Sequence, residues 1–292
     1  MKILHIDIET FSDISLTTCG VYRYVDSPNF QLLLLAYAMD NEPVQIIDIA
    51  SGEKIPKAII NAIFDKNVIK SAFNAQFERI CLSKYFNTTL SPESWHCTMV
   101  HAATLGIPGS LDSVSKALGF SLDKQKLFTG KNLIRIFSIP RKVKTDSSQV
   151  SMLKTRTKIL PEDCPEEWKQ FKTYCMQDVV VEREIFKKLE RYSLPPKEIQ
   201  IWYLDQKIND YGVRLDLDFV KQAIHIDEQY TQQLIDRYRE LGLENPKSVT
   251  ELKNYLTKKL GFEIRAISKQ TIPDLKKAAK DIPEALEALE IR

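Results

Sequence analysis

Apolar and polar residues alternate within residues 2–9 of the chain, a pattern with the two-residue period of a β-strand. One face would carry Ile3, His5, Asp7 and Glu9, and the other Leu4, Ile6 and Ile8. Two further apolar runs, at 32–39 and 44–48, are separated by the turn-forming residues 40–43. Because a short turn joins them, these two runs predict a β-hairpin.

After this hairpin the pattern alternates between helix and strand. Residues 55–64 have helical periodicity, residues 68–73 predict a strand, and a helix follows with Asn74 as its expected N-cap. Hairpin strands followed by alternating helices and strands predict an α/β fold, with a mixed sheet flanked by helices.

The second half of the chain is mainly helical in pattern. Residues 111–119 predict a short helix that a glycine closes, and 165–192 predict a long helix with proline and acids in its first turn. The stretch "SLPPKE" at 193–198 interrupts the pattern and predicts a domain boundary, giving domains at 1–193 and 194–292. The sequence stops within a helical pattern, so we expect a piece of a longer protein.

Composition limits the class of protein without defining its function. The 292 residues, 43% hydrophobic and 27% charged, are typical of one large or two ordinary globular domains. The five cysteines form no metal-binding spacing, and the longest apolar run is half of the roughly 20 residues that a membrane helix needs. We therefore expect a cytoplasmic protein with reduced thiols and no membrane partner.

The net charge of +2 does not by itself indicate a nucleic-acid partner, but the basic residues are unevenly distributed. Residues 124–158 contain ten basic residues and one acid. This segment could guide single-stranded DNA electrostatically or could be a solvated loop, and the sequence leaves both readings open.

Two pairs of residues have spacings that suit metal chemistry. Asp7 and Glu9 project from the same face of a predicted strand, and oxygen ligands of this kind bind Mg²⁺ or Mn²⁺. Tyr174 and Asp178 lie one turn apart on the long predicted helix. Either pair alone is as compatible with an ordinary structural role.

The order of the motifs carries a resemblance. "DIET" at the first strand, "FNAQFE" some 65 residues later and "YCMQD" on a late helix resemble the three motifs of 3′→5′ exonucleases of the DEDD superfamily, in the tyrosine variant. The segments 95–119, 202–216 and 245–275 are similar to the exonuclease, linker and early thumb regions of phage-type family A DNA polymerases. The resemblance covers essentially the whole chain. It implies a five-stranded ribonuclease-H-like exonuclease domain followed by a partial thumb, without the polymerase palm and fingers.

The resemblance also implies a site and a reaction. Two divalent cations, Mg²⁺ or Mn²⁺, would hydrolyse a phosphodiester bond, releasing nucleoside 5′-monophosphates from 3′ ends during proofreading. The implied metal ligands and catalytic residues are Asp7, Glu9, Glu78, Asp178 and, for orienting the attacking water, Tyr174. Asp7 would bridge the two cations. The implied substrate-binding residues are Thr10, Phe11, Asn74 and Phe77.

One position departs from the family pattern. The second motif usually ends in aspartate, whereas this chain has Glu78, which is one methylene longer. Mg²⁺ demands near-octahedral geometry, so the change bears on whether Glu78 ligates metal or is a bystander. We expect ligation, because the flanking Asn74 and Phe77 match the motif.

The implied partners are single-stranded DNA or a frayed primer 3′ end, together with the rest of the polymerase chain. We expect a monomer in the cytoplasm of a bacterial host, from a phage or prophage. Two alternatives stay open at this point. One is a degenerate, non-catalytic module that binds DNA or braces a polymerase, and the other is an exonuclease that acts on short RNA.

Overall fold

The alternating first segment forms the central strand of a five-stranded sheet. The computed structural model describes residues 2–107, 109–120, 130–140 and 158–291. The strands are β1 (Lys2–Phe11), β2 (Gln31–Met39), β3 (Gln45–Asp48), β4 (Val68–Ala72) and β5 (Trp95–Cys97). Their order across the sheet is β3-β2-β1-β4-β5.

The sheet is mixed, as the sequence predicts. Strands β1, β2 and β3 pair antiparallel, whereas β4 pairs parallel with both β1 and β5. The predicted hairpin of β2 and β3 is confirmed, and the predicted strand at 68–73 is β4. Parallel pairing requires a crossover connection, and the helices between these strands supply it.

Helices cover both faces of this sheet. The helices are α1 (Leu16–Asp26), α2 (Lys57–Phe64), α3 (Gln76–Tyr85), α4 (Thr98–Thr104), α5 (Leu111–Ala117), α6 (Gly130–Phe137), α7 (Pro165–Leu189) and α8 (Pro196–Tyr211). Helices α4, α5 and α6 pack against α7, which itself packs against β1 and β2. This arrangement is the predicted α/β, ribonuclease-H-like fold.

The alternation in β1 divides the core into two clusters. Leu4, Ile6 and Ile8 are buried with residues of α2 and α3 on one face. On the other face, residues of β2 are buried with Phe171 and Val179 of α7. The face of β1 that carries Asp7 and Glu9 therefore meets α7, the helix that carries Tyr174 and Asp178.

The chain divides into two compact units, residues 1–212 and 213–292. The sequence predicts a domain boundary after 193, and α8, which follows that position, lies within the first compact unit. One reason is the buried guanidinium of Arg79, which donates to both carboxylate oxygens of Asp210 on α8 at 2.7 and 2.9 Å. Arg79 also donates to Gln206 on the same helix.

The second unit is helical, as predicted. Its helices are α9 (Leu217–Glu240), α10 (Val249–Leu260), α11 (Ile272–Ala278) and α12 (Pro283–Ile291). They share their own apolar cluster, in which Tyr238, Leu252 and Leu256 are fully buried. Across the residues that the structure describes, no helix is long and apolar enough to cross a membrane.

Candidate active site

Strand β1 supplies the first two carboxylates. Asp7 lies opposite Ala36 of β2, and the pairing register shifts immediately after Glu9. Such an irregularity bends a strand and redirects its side chains. Glu9 is buried and Asp7 is partly exposed. Their carboxylate oxygens lie within 4.8 Å of each other, close enough for both groups to contact one cation.

The start of α3 differs from the start that the sequence predicts. The expectation that Asn74 caps this helix is wrong, because the N-cap residue is Ala75. Asn74 precedes it with a φ of 68°, in the left-handed region that asparagine tolerates better than most residues. The Asn74 carbonyl accepts a hydrogen bond from the Phe77 N–H at 2.9 Å, which closes the turn. This turn places Glu78 in the first turn of α3.

Helix α7 supplies the phenol and the fourth carboxylate. Tyr174 is 1% exposed and Asp178 is 6% exposed, and a hydrogen bond joins their side chains. Burial raises the pKa of Tyr174 above its ordinary value, and the charges of Asp178 and Glu9 raise it further. The phenol therefore stays protonated at neutral pH, where its hydroxyl can donate a hydrogen bond.

The three motifs converge on one cavity of about 590 Å³. Its lining includes all five predicted catalytic residues, namely Asp7, Glu9, Glu78, Tyr174 and Asp178. Thr10, Asn74 and Phe77, three of the four predicted substrate-binding residues, also line it. Phe11 is 3% exposed and lies in the core against α6 and α7, with Lys158 stacked 5.4 Å from its ring centroid.

Glu78 provides the test of whether this cavity fits a cation. The residue is 3% exposed, and its Oε2 atom has no hydrogen-bond partner within the described part of the chain. Burial raises the pKa of Glu78 well above its ordinary value, and the nearby charge of Asp7 adds to the effect. A buried carboxylate beside other carboxylates is costly unless a positive charge compensates it. The four carboxylates offer oxygen, the donor that hard divalent cations prefer, although the Sγ of Cys175 also lies within 4.8 Å of the carboxylates of Asp7 and Glu9.

Sequence reasoning missed two buried neighbours of these carboxylates. Cys175 follows Tyr174, and its Sγ lies 3.4 Å from Oδ2 of Asp7. Glu182 lies one turn after Asp178 on α7 and accepts hydrogen bonds from Ser71 and from Nδ1 of His5, at 2.6 and 2.7 Å. The i, i+4 spacing of Glu182 from Asp178 was the available signal. His5 is thus a buried residue of the sheet.

The basic segment 124–158 is only partly described. Lys131 and Arg135 lie on the exposed side of α6. Arg141, Lys142 and Lys144 lie outside the described residues, so the predicted guidance of DNA stays a prediction. Helix α6 and the residues just after it form part of the cavity wall. The residues that line the cavity there are Ile134, Ser138, Ile139 and Pro140.

Fold and site together define an α/β domain of ribonuclease-H-like architecture with a buried carboxylate cluster that fits divalent cations. The DNA polymerase of Bacillus phage SP02 is 48% identical to this chain over 276 residues. The match covers 94% of this chain but only 41% of that polymerase, so the chain spans less than half of its relative's length. Over the matched region the chain is a homologue of this phage DNA polymerase, which confirms the predicted similarity to phage DNA polymerases. No protein-family model matches it.

Solved structures give weaker similarities. Brucella melitensis NrnC is 16% identical and has a TM-score of 0.40, with 70% of this chain and 80% of that chain covered. A structure described as the apo form of the nuclease is 15% identical, with a TM-score of 0.41 and coverages of 70% and 79%. TM-scores of this size are too low to support a functional inference.

Proposed function

We propose that the chain is the 3′→5′ exonuclease portion of a family A DNA polymerase, acting in proofreading. The observation that carries the proposal is the convergence of Asp7, Glu9, Glu78, Tyr174 and Asp178 on one cavity, although they come from three distant segments. Homology to a phage DNA polymerase over 94% of the chain supports it independently.

The four carboxylates are the proposed ligands of two divalent cations, Mg²⁺ or Mn²⁺. Asp7 is the proposed shared ligand because it is near both neighbouring carboxylates. Its charge raises the pKa of Glu78, a residue of α3, and its carboxylate lies close to that of Glu9 on β1. When bound, such cations activate an attacking water and neutralise charge on the leaving 3′-oxygen. The unpartnered Oε2 of Glu78 would then gain a positively charged partner.

The remaining residues of the cavity would orient the substrate and the water. The protonated hydroxyl of Tyr174, beside Asp178, would orient a water near the carboxylates. Phe77 is half-buried in the cavity wall and offers a ring for stacking on a terminal base, and Asn74 offers an exposed amide. Thr10 is close to the carboxylates but buried, with its hydroxyl 2.8 Å from that of Tyr24. Its backbone is the proposed contact for the terminal 3′-hydroxyl.

The domain assignment belongs to the same proposal. Residues 1–193 would form the exonuclease domain, and the helical residues from 194 onward the linker and the beginning of a polymerase thumb. Because the relative extends well beyond the matched region, the palm and fingers would lie in the remainder of a longer polymerase.

The test is hydrolysis of single-stranded DNA labelled at either end. A 3′ label should be released as a mononucleotide in the presence of Mg²⁺ or Mn²⁺, and a 5′ label should give a ladder of shortening products. Asp7→Ala should abolish both. A single strand of RNA of the same sequence, tested in parallel, distinguishes the RNA alternative. Binding of DNA without any cation-dependent release would favour the non-catalytic alternative.

A further inference from the structure

Gly130 is in direct contact with the ring of Tyr174. A Cβ atom added at Gly130 would lie 2.0 Å from Cε2 of Tyr174 and 2.5 Å from its Cζ. The chain has nine glycines, and at each of the other eight an added Cβ meets nothing within 4 Å among the described residues. Gly130 is therefore the one glycine at which, among the described residues, a side chain would clash with its surroundings.

The backbone at Gly130 does not require glycine. Seven glycines of the chain have positive φ, which favours glycine for conformational reasons, but Gly130 is not one of them. It begins the helix α6, where alanine is the better helix former by up to about 1 kcal/mol. The physical reason for glycine at this position is consequently the aromatic ring that lies against it.

Helix α6 presents a continuous face to the aromatic side chains of α7. Gly130, Leu133 and Phe137 have the i, i+3, i+7 spacing of one helix face, and all three are buried. Phe137 stacks on Phe171 at 5.3 Å between ring centroids, and Phe171 lies almost parallel to Tyr174, with 8° between the ring planes. The ring of Tyr174 is thus fixed by Gly130 on α6 and by its neighbour on α7.

We propose that Gly130 is a positioning residue for Tyr174, allowing α6 to pack closely enough to hold the phenol beside Asp178. This inference rests on the proposed exonuclease function, in which the Tyr174 hydroxyl orients a water. Gly130 acts through the ring and does not itself touch the reacting atoms.

Gly130→Ala would force a displacement. Carbon atoms in good contact are 3.5–4.0 Å apart, so a separation of 2.0 Å requires the ring or the helix to move by roughly 1.5 Å. A misplacement of about 1 Å in a catalytic arrangement can reduce a rate by about 10²-fold. We expect a loss of this order in kcat, with a smaller change in KM.

The experiment compares Gly130→Ala, Tyr174→Phe and the double variant for hydrolysis of single-stranded DNA. If Gly130 acts through the Tyr174 hydroxyl, Gly130→Ala should lose about 10²-fold in kcat alone but little more in the Tyr174→Phe background. Asn132→Ala, on the exposed side of the same helix, is the matched control and should keep wild-type activity. Full activity of Gly130→Ala would overturn the inference, as would losses that multiply in the double variant.

A second readout does not depend on activity. In protein with ¹³C-labelled tyrosine rings, the Tyr174 resonance is the one that Tyr174→Phe removes. Gly130→Ala should move this resonance and Asn132→Ala should not. An unmoved resonance would refute the contact even if the chain proved to be no exonuclease. Conversely, failure of the proposed function would appear as the absence of Asp7-dependent hydrolysis in the wild type, while the resonance still reports on Gly130.

Discussion

Glu78→Gln removes the charge of the most unusual carboxylate in the site while keeping its size. Without metal, the raised pKa of Glu78 means that the folded state holds more protons than the unfolded state above the ordinary carboxyl pKa. The stability of the wild type should therefore fall as the pH rises through this window. Glutamine cannot ionise, so the variant should lack this part of the pH dependence.

Two changes in stability are expected, one from the buried charge of Glu78 and one from the binding of Mn²⁺. At pH 8 in the presence of a chelator, removing this charge should stabilise the protein. The gain should be only on the order of 1 kcal/mol, because glutamine leaves a polar amide buried in place of the carboxylate. With Mn²⁺ at about 100 times its dissociation constant, binding at one site should stabilise the wild type by about 2.7 kcal/mol. For a unit of this size that corresponds to a rise in Tm of about 5–11 °C.

Thermal unfolding at pH 6 and pH 8, with chelator or with Mn²⁺, measures both effects. Glu78→Gln should unfold at a higher temperature than the wild type without metal, and its Mn²⁺-induced rise should be clearly smaller. Glu190→Gln, at an exposed position at the end of α7, is the control and should behave as the wild type does. An undiminished Mn²⁺ response in Glu78→Gln would show that Glu78 is a bystander. A metal-free Tm below the wild type would refute the electrostatic argument.

Three further predictions address the phenol, the attachment of α8 and the basic segment. Tyr174→Phe should reduce kcat by about 10²-fold with little change in KM, measured by steady-state hydrolysis of labelled single strands, because only the water-orienting hydroxyl is lost. Asp210→Asn should destabilise the first unit by roughly 3 kcal/mol in urea unfolding, because it leaves the buried charge of Arg79 without its ion pair; an effect below about 0.5 kcal/mol would show that α8 is held by other contacts. Alanine at Arg141, Lys142 and Lys144 tests whether the basic segment contacts phosphates. If it does, a log–log plot of single-strand affinity against salt concentration should become less steep by about two units. An unchanged slope would remove that role.

The parts of the site that the sequence predicts are those encoded in local spacing. The two-residue period of β1 fixes Asp7 and Glu9 on one face, and the four-residue spacing on α7 fixes Tyr174 beside Asp178. Each motif is short, so its internal geometry follows from the type of secondary structure alone. The expectation that the three motifs meet in space came from the resemblance. The fold gives the physical reason, because the face of β1 that carries Asp7 and Glu9 packs against α7.

The failures have physical causes too. Asparagine favours both helix N-caps and the left-handed region, so the sequence could not distinguish the two at Asn74. The contact of Gly130 with Tyr174 joins residues far apart in the chain, and a glycine at a helix start carries no sign of an aromatic neighbour. The position of α8 depends on the buried guanidinium of Arg79, whose partner lies more than a hundred residues away.

The most direct test of the metal-centre assignment is a crystal soaked in Mn²⁺ and examined by anomalous diffraction. The account predicts two ions in the cavity, ligated among Asp7, Glu9, Glu78 and Asp178, with Glu78 holding one of them directly or through water. An absence of ions at saturating Mn²⁺, or ions that leave Glu78 and Asp7 uncontacted, would contradict it.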